Sequence, residues 1–524
     1  MKLNIADTFT TQLPQDNRLE NYRRQVFDAC FSFVEPKTFE NPQLIHVSKD
    51  VLQSLGFTEE DSNAFKDLVT GQNLPQNLKP YAMCYGGHQF GNWAGQLGDG
   101  RAINLAQIVH QGLSQTIQLK GAGATPYSRS ADGFAVLRSS IREHLCSEAM
   151  YYLGVPTTRS LSLSLSGEDV LRDVMYDGNP AYEKGAIVCR VAPSFIRFGN
   201  FELFASRNDT KTLQKLADYT INEYFPNIEA NQTKDSYLSF FESVFNKTID
   251  MIVEWQRVGF VHGVMNTDNM SIHGITIDYG PYGWLEDYNL GWTPNTTDNQ
   301  HKRYRFGNQP QVAFWNLIQL ANALVPLIKE TDALESILDQ YHSKYLNKYI
   351  AMMSKKLGFQ AVAEGDKELV LDLESLLMLA ETDMTIFFRL LSNFDKDEKL
   401  SEEDDTFLSF IKPAFYNFET LKASDKIEWF QWLKRYQIRL KKDAISNEAR
   451  QLQMNKTNPK YVLRNYMAQL IIEDADKGDY NLLNEIFDLL KNPYNEQPEH
   501  EKWFTKRPDW AKEKVGCSML SCSS

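Results

Sequence analysis

The strongest chemical signal in the 524-residue chain is a close set of one amide and two carboxylates: Asp268, Asn269 and Asp278. They lie in HGVMNTDNMSIHGITIDYG, residues 262–280. Two short apolar runs, Met270-Ser271-Ile272 and Ile275-Thr276-Ile277, flank His273-Gly274. A two-residue linker containing Gly between β-prone runs predicts a tight hairpin. That hairpin sets Asn269, just before the first run, opposite Asp278, just after the second. An amide oxygen and a carboxylate facing one space suit a hard divalent cation, Mg²⁺ or Mn²⁺, which takes few protein ligands and leaves room for phosphates. Asp268 adds a second carboxylate beside Asn269.

The pattern resembles a protein-kinase catalytic core, in which H-R-D-x-x-x-x-N precedes such a hairpin and D-F-G follows it. His262 and Asn269 keep the His-to-Asn spacing, and Asp278-Tyr279-Gly280 stands where D-F-G would. Val264 occupies the place of the catalytic Asp. Valine accepts no proton, so either the chain is catalytically dead or another base has taken over, and Asp268 is the candidate.

The elements that must position these residues lie upstream. Tyr85 to Ala102, YGGHQFGNWAGQLGDGRA, is dense in glycine, ends in Gly98-Asp99-Gly100-Arg101 and runs into a strand-like Ile103–Ala106. Glycines let a backbone present N–H groups to phosphates, and Arg101 adds positive charge. In Thr116–Lys120, apolar Ile117 and Leu119 alternate with Gln118 and Lys120, which predicts a strand with one apolar face and Lys120 on the other. Ala135 to Leu153 carries Leu137, Ile141, Leu145, Ala149 and Leu153 at helical spacing and ends at Gly154-Val155-Pro156. Glu143 borders the apolar side of that helix. A carboxylate there needs a cation, and Lys120 is the expected partner rather than Arg142 or His144. Strand lysine paired with helix glutamate is how kinases position nucleotide phosphates. Between strand and helix, a second Gly-rich loop has Arg129 and Asp132 as its only charges. Arg190 and Arg197, in RVAPSFIRFG, suit a polyphosphate because the guanidinium fork matches its oxygens.

Together, YGGHQFGNWAGQLGDGRA, QLKGAGATPYSRSADG, RVAPSFIRFG and HGVMNTDNMSIHGITIDYGPYG resemble the selenoprotein O family, and NPKYVLRNYMAQ and the terminal Ser521-Cys522-Ser523-Ser524 fit it too. The resemblance spans nearly the whole chain. It implies a kinase-like fold without the usual catalytic Asp, and transfer of AMP rather than phosphate from ATP to protein hydroxyls of Ser, Thr or Tyr. It also implies that ATP is bound flipped, so that its α-phosphate is presented for attack. Residue by residue, it implies nucleotide contacts at Gly98, Gly100, Arg101, Lys120, Asp132, Gly133, Arg190, Arg197 and Asp278. It implies metal ligands at Asn269 and Asp278 and a general base at Asp268, with Glu143 expected to hold Lys120 as the helix pattern suggests. Animal members have selenocysteine where Cys522 stands, so no selenium-dependent chemistry is expected. A conventional kinase-type phosphotransferase and a non-catalytic ATP-binding scaffold are the alternatives.

The expected architecture is α+β and bilobal. An N-terminal extension with helical stretches covers 1–78, a mixed smaller lobe 79–200, and a helical lobe with the catalytic loop and metal hairpin 201–491. A Pro- and charge-rich, loosely packed tail covers 492–524. Gln311–Ile328 reads as a buried core helix, and the acidic run Glu402–Asp405 as a helix start or solvated loop. A net charge of −13 argues against a nucleic-acid binder. No membrane partner is expected, since no apolar run is long enough to span a bilayer. MKLNIADTFTTQLPQD has neither a signal core nor a transit-peptide character. Six scattered cysteines point to free thiols and the cytoplasm, with reversible pairing of Cys517 and Cys522 as the other option. A monomer is expected.

Overall fold

Alternating strand-prone residues at Ala102–His110 (β6) and Leu113–Lys120 (β7) form the central antiparallel pair of an eight-stranded sheet. The computed structural model describes residues 4–521, apart from 59–61, 175–177, 230, 402–404 and 518. Most of the acidic run at 402–405 and Cys522 fall outside the described residues. The other strands are β1 (Phe31–Phe33), β2 (Gln43–Val47), β3 (Tyr81–Met83), β8 (Ala135–Val136), β9 (Arg159–Arg172) and β10 (Ala181–Ala192). The sheet runs β1-β3-β6-β7-β10-β9-β2, with β8 added to β10. A separate two-stranded hairpin, β4 (Gly86–Gln89) and β5 (Asn92–Gln96), leaves the sheet between β3 and β6.

The register puts one face of this sheet to chemical use. Cross-strand partners in an antiparallel ladder point to the same side. Asn104, Gln118 and Arg190 are such partners, and Lys120 lies two residues on from Gln118. The other face carries Ile117, Leu119, Ile187, Cys189 and Val191, which share one buried cluster with Phe39, Phe65, Leu68 and Val69. Both faces of β7 are therefore covered. The segment before residue 79 contributes two strands and the Asn63–Thr70 helix to this arrangement, besides the short helices Thr8–Gln12 and Lys49–Ser54.

From residue 198 onward helices dominate, among them Lys234–Val258, Gln309–Ile328 and Asn465–Asp476. Mixed sheet-bearing and helical parts make this an α+β protein of kinase-like organisation. By length and apolarity the Phe306–Ile328 stretch would suit a membrane. Its Val312, Leu317, Leu320 and Leu324 are instead buried in the protein core. The tail departs from the loose packing expected of it. Ala511 and Cys517 are buried, Leu520 N donates to Pro294 O (2.9 Å), and Leu520 O accepts from Thr296 N (2.7 Å). Scattered apolar residues in a Pro-rich, charged stretch do not reveal such docking by periodicity.

Candidate active site

The expected hairpin exists in minimal form. One bridge, Met270 to Thr276, closes it, with Gly274 at φ 61° in the turn. His262 ties down its far end: Nε2 donates to Ile277 O (2.9 Å) while Nδ1 accepts from Val264 N (3.3 Å). That pattern fixes a neutral imidazole, and burial lowers its pKa. Asp278 follows in the left-handed region at φ 58°, an uncommon place for a residue with a Cβ.

Helix Leu137–Tyr152 begins two residues later than its apolar spacing suggests, because Ala135 and Val136 pair with β10. It brings Glu143 beneath the sheet. Glu143 Oε2 lies 2.6 Å from Lys120 Nζ, and Glu143 Oε1 accepts from Arg190 Nη1 at 3.0 Å. The competing partners are engaged elsewhere. Arg142 donates to Tyr282 O (2.6 Å), and His144 bonds to His46 and Ser160.

Asp278 collects the cations. Arg190 Nη1 is 2.5 Å from its Oδ1, Lys120 Nζ is 3.7 Å away, and Arg197 bonds to its Oδ2. Burial would raise the Asp278 pKa, but Arg197, Arg190 and Lys120 together hold it well below the usual carboxylate range. Arg197 also donates to the main-chain oxygen of Asp268 (2.7 Å). Gln118, not anticipated from sequence, bonds to Arg190; its side chain is legible only once β7 and β10 are registered. Among the described residues the Arg101 guanidinium makes no hydrogen bond or ion pair.

The two Gly-rich loops are stitched together. Thr125 Oγ1 donates to Asp99 O (2.7 Å) and Ser128 Oγ to Gly100 O, while Gly98 lies against the Tyr127 ring. Gly133 (φ 83°) has no room for a side chain, since a Cβ would stand 2.3 Å from Ala124 N. The Asp132 carboxylate is engaged bidentately by Arg172 (2.7 and 2.9 Å), a partner sequence spacing did not suggest.

Asp268 sits in a 3-10 turn, Thr267–Asn269, and is buried. Its Oδ2 accepts from Gln89 Nε2 at 3.1 Å, while Oδ1 is enclosed without a hydrogen-bond partner among the described residues. Burial pushes its pKa up to about 7, against the Gln89 hydrogen bond and Arg197. Asn269 Nδ2 donates to Val264 O (3.0 Å), which leaves its amide oxygen for another ligand. Val264 is buried at the position of the usual kinase base.

Gly98, Gly100, Arg101, Lys120, Asp132, Gly133, Arg190, Asp268, Asn269 and Asp278 all line one cavity of about 660 Å³. Glu143 and Arg197 stand behind it, bonded to its lining residues. The cavity thus combines surplus positive charge, two oxygen donors at Asn269 and Asp278, and a buried carboxylate poised near neutrality. Such a site can bind a polyphosphate and accept a proton.

Comparison with known proteins agrees with that chemistry. The family described as "Protein adenylyltransferase SelO" matches residues 13–491. A protein of Flavobacterium johnsoniae named protein nucleotidyltransferase YdiU is 58% identical over 524 residues, covering 100% of this chain and 99% of its own. Proteins of the same name from Rhodopirellula baltica and Azoarcus sp. are each 51% identical, covering 100% and 98% of this chain and 99% and 98% of their own.

Proposed function

Because the chain belongs to the protein adenylyltransferase SelO family, we propose that it transfers AMP from ATP to Ser, Thr or Tyr hydroxyls of proteins and releases pyrophosphate. The observation that carries this reading is the exchange of base. Val264 stands where a kinase holds its Asp, and a different carboxylate, Asp268, lines the same cavity beside Asn269, its Oδ1 enclosed without a hydrogen-bond partner among the described residues.

Lys120, Arg190, Arg197 and Arg101 supply the charge that neutralises the phosphates, and the loops at 98–101 and 121–133 supply backbone and shape. The donor set at Asn269 and Asp278 is all oxygen, and Asn269 has its amide oxygen unspent, which fits a hard cation. Among the described residues no group of three or more His, Cys, Asp or Glu is placed to hold a metal ion, so at this two-donor site Mg²⁺ or Mn²⁺ would complete its shell with phosphate and water. When bound, the metal supplies further neutralisation of phosphate charge. Asp268 accepts the proton of the acceptor hydroxyl as its oxygen attacks the α-phosphorus. The bond from α-phosphorus to the bridging oxygen breaks, and pyrophosphate leaves with the electron pair. Most of the acceleration comes from positioning and electrostatics, with about 10²–10⁴-fold from the base.

The test is ATP labelled separately at the α- and γ-phosphates, given to the protein alone and with a mixture of candidate proteins. Label from the α position only, on protein, is expected. Protein carrying the γ label would indicate a kinase. ATP binding with neither label transferred would indicate a non-catalytic scaffold.

A further inference from the structure

Asp268 is held by more than its own turn, because a separate hairpin is fastened over it. β4 and β5 meet at Phe90-Gly91, both at positive φ (50° and 85°), the combination that closes a right-twisted two-residue hairpin. The hairpin departs from the sheet, yet its bonds go to the segment around Asp268. His88 N donates to Thr267 Oγ1 (2.7 Å), and Phe90 N donates to Asn266 Oδ1 (3.2 Å) and Tyr304 Oη (3.0 Å). His88 Nδ1 lies 2.5 Å from Glu202 Oε2. The approach is tight. A Cβ on Gly87 would stand 2.9 Å from Asp268 Cβ and 3.1 Å from its backbone N. At the end of β4, Gln89 donates through Nε2 to Asp268 Oδ2 (3.1 Å). Among the described residues it is the only side chain bonded to that carboxylate.

A carboxylate with one oxygen held in a fixed hydrogen bond keeps a fixed plane, and its other oxygen keeps a fixed direction. We infer that Gln89 is a positioning residue for the reaction: its amide holds Oδ2 while Oδ1 is packed against Gly87, where a Cβ would stand 3.0 Å from it, so that the carboxylate keeps one orientation toward the cavity and the acceptor hydroxyl. This inference rests on Asp268 being the base. The hairpin anchors give Gln89 its precision, since five contacts on neighbouring residues fix the strand that carries it. Gln89 lines the same cavity, but among the described residues its side chain bonds to Asp268 and not to Lys120, Arg190, Arg197, Asn269 or Asp278, so its loss should act on turnover rather than on ATP affinity.

Gln89→Met keeps length and bulk and removes the donor. Gln89→Glu keeps shape and polarity but sets an oxygen against Oδ2. Each is made alone and in an Asp268→Asn background. ATP affinity and the single-turnover rate of α-label transfer at saturating Mg·ATP are measured in the same preparations. A hydrogen bond to a charged group predicts a roughly 10- to 100-fold drop in rate, with ATP affinity unchanged. In the Asp268→Asn background the further drop should vanish, because Gln89 then has no carboxylate to orient. Equal drops in both backgrounds, or a loss that appears in ATP affinity, would overturn the inference. If the unaltered protein transfers no α label while binding ATP, the base role of Asp268 falls, and this inference with it.

Discussion

Two buried clusters in this chain are built from the same parts and serve different ends. At the cavity, Lys120, Arg190 and Arg197 share two carboxylates, Glu143 and Asp278. In the helical part, one arginine, Arg464, holds two carboxylates, Glu286 at 2.6 Å and Asp383 at 2.7 Å. The first cluster has an excess of cations and opens to the cavity, with the Asp278 side chain 20% exposed. The second has an excess of anions and is shut: Arg464, Glu286 and Asp383 are 3%, 1% and 0% exposed. Asp383 also caps the Met384–Leu391 helix by accepting from Ile386 N (2.9 Å). Surplus charge facing a cavity calls for a ligand of opposite sign. Surplus charge sealed among helix ends fastens elements together.

The sharpest way to break this contrast is to remove one arginine from each cluster. Arg464→Met takes the bridging arginine from two buried carboxylates and should cost about 3–5 kcal/mol of stability, read as a lower denaturation midpoint. Arg197→Met should cost clearly less, because Asp278 keeps Arg190 and Lys120 and has access to the cavity. Equal losses would show that the open cluster is structural too.

Next in size is Asp278→Asn. Transfer should fall roughly 10²–10³-fold, as for loss of a main electrostatic group at a reacting phosphate. The metal-dependent part of ATP binding should disappear. In metal-free buffer, however, tripolyphosphate should bind this variant more tightly than the unaltered protein, because Arg190 and Arg197 lose their internal anion. Weaker metal-free binding, measured by calorimetry, would mean the arginines do not turn from Asp278 to phosphate.

A smaller effect concerns Lys120 and Glu143, 2.6 Å apart. Lys120→Ala and Glu143→Ala should each impair transfer. The double variant should fall short of the summed losses by about 0.5–3 kcal/mol. Full additivity would separate their roles. The smallest effect is in pH. A base must be ionised to accept a proton, and burial raises Asp268 to about 7. As pH falls through about 7, kcat/KM, which reports the free enzyme, should fall with one-proton slope. An acid limb centred near the ordinary Asp value of about 4 would place the base elsewhere.

How much of this was legible in the sequence depended on distance along the chain. The Met270–Thr276 hairpin was legible because its turn residues and flanking runs are local. The Lys120–Glu143 pair was legible because a carboxylate at the border of an apolar helix face demands a cation. Gln89 was not, since its partner lies 179 residues away and nothing in β4 hints at it. Asp132 appeared as a lone charge in a glycine loop, yet Arg172, on a strand forty residues on, holds it in a bidentate pair. Arg464 likewise meets partners 178 and 81 residues away. Such pairings are set by tertiary packing, which periodicity and turn chemistry do not encode.

The proposed transfer depends on Asp268 acting as the base in place of the position now held by Val264. Asp268→Asn preserves size and hydrogen-bonding capacity and removes the ability to take a proton. ATP affinity in the presence of Mg²⁺ and α-label transfer should be measured on one preparation of this variant beside the unaltered protein. Unchanged affinity with transfer lowered by roughly 10²–10⁴-fold is the expected result. Near-normal transfer with intact binding would contradict the account.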